Sequence, residues 1–313
     1  MVPLRRLIIE NRIDLAVAWD WAHDSDFISL INAECMNRGM RMTALGAGEA
    51  PAASAALRKG ELSVRTFLDR AAPDEEPFAG LSSAMAKSGA RILNPPDEVR
   101  RAADKATMHL EFLSHGIAVP FTIIISPYNR ERQVELSLEQ LASLRRPFII
   151  KPANTTGGGI GVITGAETLK DVIDSRKHHR DDKYLLQEKV VPAELSGRRA
   201  WFRVFYVCGE IFPCWWDDIT HVYAEVTAGE SSSFSLSPLV SIGRVISTVC
   251  RLDFFSTEIA MTPAGQFVTV DYVNEICDMR LQSRHPDGVP DRLALAISGL
   301  LAEAARGSGN RSS

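Results

Sequence analysis

Phe148-Ile149-Ile150-Lys151-Pro152-Ala153-Asn154-Thr155-Thr156-Gly157-Gly158-Gly159-Ile160-Gly161 is the stretch on which the reading of this chain turns. Three β-forming residues lead into a lysine, and four glycines fall within five positions before Val162-Ile163-Thr164 resumes an extended pattern. Strand, glycine loop and strand make a hairpin, not a crossover. Without Cβ atoms the loop can take positive φ and turn its backbone N–H groups onto phosphate oxygens, with Lys151 placed to meet the same phosphates. The competing reading is a plain structural hairpin, which needs only one or two glycines. A P-loop is excluded, because Gly-x-x-x-x-Gly-Lys followed by Ser or Thr occurs nowhere. A second glycine pair, Gly46-Ala47-Gly48-Glu49-Ala50-Pro51, also follows a strand, but proline replaces the third glycine of a dinucleotide fingerprint, so it reads as a surface turn.

Upstream, strand-like Asp14 to Trp19 precedes Asp24-Ser25-Asp26, an N-cap signal for a helix that stops near Arg38-Gly39. Strands at Met40 to Leu45, Val64 to Leu68 and Arg91 to Leu93, with a helix from Phe78 to Lys87, continue a βα alternation that implies a mostly parallel sheet. After Pro95-Pro96 the spacing predicts one long helix over Asp97 to His115, then a strand Phe121 to Ile125 and a helix Leu136 to Leu144. Beyond the hairpin come a helix Leu169 to Arg176 and a strand Tyr184 to Gln187; His178 and His179 fall in a charged, exposed stretch and are poor ligand candidates. The last third holds strands Ala200 to Cys208, Ile211 to Trp216, Ser256 to Met261 and Phe267 to Val273, with helices Val240 to Cys250 and Pro290 to Ala305. Thr227 to Pro238 reads as a mobile loop and Gly307 to Ser313 as a frayed tail; no internal repeat is visible.

Composition excludes several classes. The 313 residues allow two or three domains, and 45% apolar with 24% charged residues is an ordinary globular mix. With 35 Lys and Arg against 39 Asp and Glu, the net charge of -4 gives no electrostatic case for nucleic acid or a membrane surface. No apolar run approaches the roughly 20 residues that span a bilayer. Met1 to Glu10 lacks the sustained apolar stretch of a signal peptide, so the cytoplasm is the expected compartment. The five cysteines are scattered, without a Cys-x-x-Cys pair, and read as buried reduced thiols; Cys277 stands out because acidic residues flank it.

The carboxylates say most about chemistry. Glu258 lies in one apolar strand and Asp271 in the next, with Asn274 just beyond, and a tight turn joins the two strands. Burying two such acids is expensive unless cations neutralise them, and oxygen-only ligands suit Mg²⁺. The alternative is a salt bridge to Arg280 or Arg284. Arg203 interrupts the aromatic strand Trp201-Phe202-Arg203-Val204-Phe205 and requires either a protein partner or an anionic ligand. Lys105, taken by itself, is a solvated charge on an amphipathic helix.

In order, these pieces resemble the ATP-grasp superfamily, in the branch of glutathione synthetase, D-alanine–D-alanine ligase and the peptide-forming glutamate ligases. Asn94 with Asp104-Lys105 and Gly116 to Pro120 resembles the family's entry helix; Phe148 to Gly161 resembles its phosphate-covering hairpin. Leu186-Gln187-Glu188-Lys189-Val190-Val191 is similar to the adenine hinge, and Arg203 to Ile211 to the strand whose arginine faces the transferred phosphate. The fold implied is α/β at the N-terminus and α+β beyond. It comprises a parallel α/β pre-ATP-grasp domain over residues 1–96, a small ATP-grasp lobe over 97–187 and a large lobe carrying the metal and phosphate site over 188–313.

The resemblance implies ATP as cofactor with Mg²⁺, two ions, or Mn²⁺ in its place. Lys105, Lys151, Gly157, Gly158 and Gly159 would bind the phosphates, while Glu188, Lys189 and Val191 would line the adenine pocket and Glu194 would meet the ribose. Glu258, Asp271 and Asn274 would hold metal, and Arg203, Lys151 and Arg280 would act in catalysis, Arg280 by orienting a substrate carboxylate. Two departures are visible: the family's last metal motif is Glu-x-Asn, whereas Asp271-Tyr272-Val273-Asn274 has an extra residue, and the family's Pro-Gly segment beyond it is missing. The implied activity is an ATP-dependent ligase joining a small carboxylate to an amine or thiol through an acyl phosphate, with a homo-oligomer left open. A small-molecule kinase and a non-catalytic nucleotide-binding module are the alternatives. Trp19, Trp21 and His23 either face the acceptor or close the first domain's core.

Overall fold

The computed structural model describes residues 12–71, 76–155 and 159–307. Met1 to Glu10, Thr156, Gly157, Gly158 and the tail beyond Gly307 lie outside them.

Arg12–Trp19, apolar from Leu15 onward, forms β1, an inner strand of a four-stranded parallel sheet. Ser25–Asn37 (α1), Met42–Leu45 (β2), Ala50–Arg58 (α2), Ser63–Arg70 (β3), Phe78–Lys87 (α3) and Arg91–Leu93 (β4) complete it, in the order β2-β1-β3-β4. Leu15 and Val17 enter one core with Phe27, Ile28 and Ile31 of α1, while Ala16 and Ala18 enter another with Leu57 of α2 and Leu81 of α3. Cores on both faces are why β1 is apolar from Leu15 to Trp19. Gly39 ends α1 at φ +68, as its glycine suggested.

Asp24 does not cap α1. Its carboxylate instead takes a forked pair from Arg70 at 2.7 and 2.9 Å, and Arg70 also donates to the Cys277 carbonyl at 2.8 Å. Both side chains are buried, with the guanidinium lying over the rings of Phe27 and Phe254. A charged cluster thus fastens the first sheet to a segment more than 200 residues later.

The long helix expected over residues 97–115 is two helices, Pro96–Ala103 (α4) and Lys105–Ser114 (α5). Asp104 breaks it at ψ 96° because its carboxylate accepts from the backbone N–H groups of Ala106 and Thr107, which makes it the N-cap of α5. Thr122–Ile125 (β5), Leu138–Leu144 (α6), Phe148–Pro152 (β6), Ile163–Ala166 (β7), Leu169–Ser175 (α7) and Tyr184–Glu188 (β8) follow. Their strands form an antiparallel sheet of order β5-β8-β6-β7, and β6 pairs with β7 across the glycine loop as a hairpin.

A two-residue pair, Glu194–Leu195 (β9) and Arg198–Arg199 (β10), leads into Trp201–Val207 (β11), Glu210–Trp216 (β12) and Tyr223–Glu225 (β13). The stretch expected to be a mobile loop contains a helix, Ala228–Ser233 (α8), because Thr227 and Glu230 form a reciprocal capping box. Ser237–Cys250 (α9), Phe254–Met261 (β14), Phe267–Asn274 (β15) and Asp291–Arg306 (α10) end the described chain. The strands form a second antiparallel sheet, β13-β12-β11-β14-β15. One face of it shares a core with α10 and with α1 of the first unit; α9 and α5 pack on the other side. Among the described residues no helix is long and apolar enough to cross a membrane.

The Asp24–Arg70 pair gives a direct test. Asp24→Asn leaves a buried guanidinium without its counter-charge and should lower unfolding free energy by about 3–5 kcal/mol. Urea denaturation reads this, and the double variant Asp24→Leu/Arg70→Met should recover most of the loss.

Candidate active site

In the second antiparallel sheet Cys214, Arg203, Glu258 and Asp271 stand directly opposite one another on β12, β11, β14 and β15. Directly opposed residues share a face, so register alone lines up a cation and two acids. Arg203 bonds Glu258 through one terminal nitrogen, and its other donates to Ser256 Oγ at 3.3 Å. The second Glu258 oxygen accepts from Trp201 Nε1 at 3.1 Å. The cation partner of Glu258 is therefore Arg203, not Arg280 or Arg284, because cross-strand pairing places it there. Trp216 lies 4.6 Å from the guanidinium, and Arg203 Nε is buried without a hydrogen-bond partner among the described residues.

The three-residue spacing of Asp271 and Asn274 would put them on opposite faces of a regular strand. It does not do so here. Asp271 pairs with Glu258 and Asn274 with Ser256, so three steps on β15 answer two on β14, and the extra residue is a β-bulge. Both side chains thus lie on the face of Arg203. With its amide oriented to suit its neighbours, Asn274 accepts from Arg203 Nη1 at 3.2 Å and donates to the Ile276 carbonyl at 3.0 Å.

Lys151 comes to this row from the smaller antiparallel sheet. It is buried, its Nζ donates to the Val270 carbonyl at 3.1 Å and lies 5.3 Å from the Tyr272 ring centroid. Beneath it Tyr272 Oη bonds His109 Nδ1 at 2.7 Å and Gln187 Nε2 at 3.0 Å, which ties α5, β8 and β15 together. Burial pulls the Lys151 pKa below its ordinary value, partly offset by Asp271 and reinforced by Lys105. Burial likewise pushes Glu258 upward, against Arg203 and with Asp271. Burial would also raise Asp271, but Lys105, Lys151 and Arg203 together hold it low. Arg203, although buried, titrates above its usual range because of Glu258. Lys105, at the first position of α5, is thus electrostatically coupled to Lys151 and Asp271.

The donor set suits a hard divalent cation: two opposed carboxylates and an amide on the same face, all oxygen donors. Among the described residues no group of three or more His, Cys, Asp and Glu is gathered, so water or phosphate oxygens would complete the coordination.

The other expected residues fall elsewhere. Glu188 ends β8, where its carboxylate accepts from Phe121 N and its own N–H donates to Phe121 O. Lys189, Val191 and Glu194 follow it, exposed, on the connection between the two antiparallel sheets. Gly159 is exposed at φ +79, while Gly157 and Gly158 lie outside the described residues. Arg280 does not join the row: it is paired with Asp278 and Asp287 and lies 5.7 Å from the Trp21 ring, beside His23 and His285. Trp21 is accordingly exposed rather than buried in the first domain's core. Burial pushes the Cys277 thiol up to about 11, the state of an inert thiol. Trp201, Ser256 and Trp216 were missed by sequence reading; Trp201 and Ser256 each lie two positions from an expected residue, hence on its face.

No family model and no curated protein matches the sequence. Solved structures do match the coordinates. A RimK-domain ATP-grasp protein from Sphaerobacter thermophilus aligns at a TM-score of 0.63 and 19% identity, over 93% of this chain and 100% of its own. The chain has the ATP-grasp fold. Macrocyclase MdnB from Microcystis aeruginosa aligns at 0.61 and 14% identity, over 94% and 99% of the two chains. D-alanine–D-alanine ligase from Bacillus anthracis, solved with ATP, aligns at 0.61 and 11% identity, over 93% and 94%. At these identities the likeness is one of fold, and the ATP-grasp architecture accounts for both antiparallel sheets and the parallel unit before them.

Removing the central cation tests the row. Arg203→Met leaves the buried Glu258 and the part-buried Asp271 without it and should lower stability by about 3–5 kcal/mol at neutral pH. Burial raises the Glu258 pKa and Arg203 opposes the rise, so without Arg203 the folded pKa stands higher still, and the variant gains more than the wild type as Glu258 takes up a proton at low pH, a benefit lost as pH rises through the folded pKa. The deficit relative to wild type should therefore shrink on acidification from pH 7 to 5. Parallel urea titrations at the two pH values measure it.

Proposed function

We propose that the protein is an ATP- and divalent-cation-dependent ligase that joins a small carboxylate to an amine through an acyl phosphate. One observation carries this: within an ATP-grasp fold, the row Arg203–Glu258–Asp271 and the buried Lys151 meet from two sheets, with Lys105 coupled to them. The lobes over residues 97–187 and 188–313 would hold the nucleotide between them, with the unit over 1–96 bordering the acceptor.

Lys105 and Lys151 bind the nucleotide phosphates, and the glycine turn over 157–161 covers them. Glu188 to Val191 line the adenine site, with Glu194 toward the ribose. Glu258, Asp271 and Asn274 would hold Mg²⁺, which supplies charge neutralisation of the phosphates when bound. The substrate carboxylate oxygen forms a bond to the γ-phosphorus as the bond to ADP breaks. The amine nitrogen then attacks the acyl carbon, inorganic phosphate leaves, and the nitrogen loses a proton. Arg203 stabilises the transferred phosphoryl group, a role supported by its buried Nε having no protein partner among the described residues. Such a transfer needs positioning and charge rather than a nucleophilic side chain. Arg280 orients an acceptor carboxylate only if it exchanges one of its two aspartates for substrate. The free cysteines support a reducing, cytoplasmic setting.

Turnover against pooled amino acids and small carboxylic acids, with phosphate release and product mass both read, tests this reading. ATP-dependent phosphate release with a condensed product is expected. A stable phosphate ester would indicate a kinase, and background release in all pools despite ATP binding would favour a non-catalytic module. Mg·ATP at about one hundred times its Kd should stabilise the wild type by about 2.7 kcal/mol. Lys151→Ala should lose most of that gain.

A further inference from the structure

The charged turn that connects α7 to β8 lies against the base of the glycine hairpin. Asp182 is 8% exposed, and its carboxylate accepts four hydrogen bonds from two consecutive residues. These come from Asn154 N at 2.9 Å, Asn154 Nδ2 at 2.8 Å, Thr155 N at 3.2 Å and Thr155 Oγ1 at 2.9 Å. Lys183 reaches the opposite way, its Nζ 2.5 Å from Asp104 Oδ2. Asp104 is the N-cap of the helix that begins at Lys105. Ala153 closes the junction, donating from N to the Lys183 carbonyl at 2.9 Å and accepting at O from Lys105 N at 3.1 Å. On the returning limb, a Cβ added at Gly161 would stand 3.2 Å from Pro152 Cγ and 3.3 Å from His179 Nε2.

One turn therefore touches both limbs of the hairpin and the cap of the helix that carries Lys105. Asn154 and Thr155 follow Lys151 by three and four residues, so the bonds that fix them also limit how far the end of the Lys151 strand can shift. Groups that grip phosphate also tolerate little displacement. Lys183 and Thr107 hold Asp104 below the usual carboxylate range despite its burial, so the cap stays ionised.

We propose that Asp182 and Lys183 are positioning residues for the nucleotide phosphates, fixing the end of the Lys151 strand, through Asn154 and Thr155, relative to Lys105 and its helix cap. This rests on the reading of those lysines as phosphate ligands; neither Asp182 nor Lys183 touches the nucleotide. The role belongs to the phosphates and not to the purine, which separates it from a merely structural one.

Calorimetric titration of the full chain with Mg·ATP and, separately, with adenosine tests it. Asp182→Ala should weaken ATP binding about tenfold, the size expected for an unmade buried hydrogen bond, Lys183→Met about threefold, as for a part-exposed ion pair, and both should leave adenosine binding unchanged. Asp182→Asn keeps an acceptor for the backbone N–H groups and should fall between. Unchanged ATP affinity, or equal losses for ATP and adenosine, would overturn the proposal. If Asp182→Ala does not fold, the half-exposed Lys183→Met decides by the same criterion. A wild type that binds adenosine and ATP equally, or neither, would overturn the phosphate reading of Lys105 and Lys151 itself.

Discussion

Arg203 and Glu258 face each other on adjacent strands, and the large antiparallel sheet depends on that pairing. Glu258 is buried there and Arg203 and Asp271 are partly so, and a buried ion alone would carry a desolvation penalty of several kcal/mol. Glu258 is bonded on both oxygens, by Arg203 and Trp201, and Asp271 is held ionised by Lys105, Lys151 and Arg203. Positive charge thus comes from both antiparallel sheets and negative charge from one. The two antiparallel sheets are drawn together electrostatically at the row of Arg203, Glu258 and Asp271.

The first α/β unit is not a detached appendage. Its α1 and the C-terminal α10 pack together, and the core they share continues into the large sheet through Trp201, Phe205 and Phe254. Asp24 and Arg70 add a charged fastening at Cys277, three residues beyond Asn274. Asn94 does the same by hydrogen bonding, accepting from Asp253 N and Phe254 N at the start of β14. Wherever Asp271 and Asn274 are held, the first unit is helping to hold them.

What could be read from sequence was what local patterns encode. Helix α3 and strand β4 fall where their apolar spacing places them, and the glycine stretch is a hairpin as its order implied. The capping box Thr227–Glu230 and the cap at Asp104 were equally local, yet serine-rich composition hid the first and an unbroken amphipathic pattern the second. Asp24 failed differently: as an N-cap it was plausible, and only Arg70, 46 positions away, draws its carboxylate elsewhere. The members of the candidate site could be named one at a time. That Arg203 pairs with Glu258, and that Arg280 is taken by Asp278 and Asp287, depends on register and loop path. The turn at Asp182 looked like solvated charge because its partners precede it by 27 and 28 residues.

The bulge on β15 has a meaning beyond its geometry. An inserted residue usually displaces everything after it, but a bulge absorbs the insertion locally and returns the following side chain to the same face. Asp271 and Asn274 therefore occupy in space the relation that a two-residue spacing would describe, while being written with three. Spelling and shape are separable here, and strand register is the grammar that reconciles them.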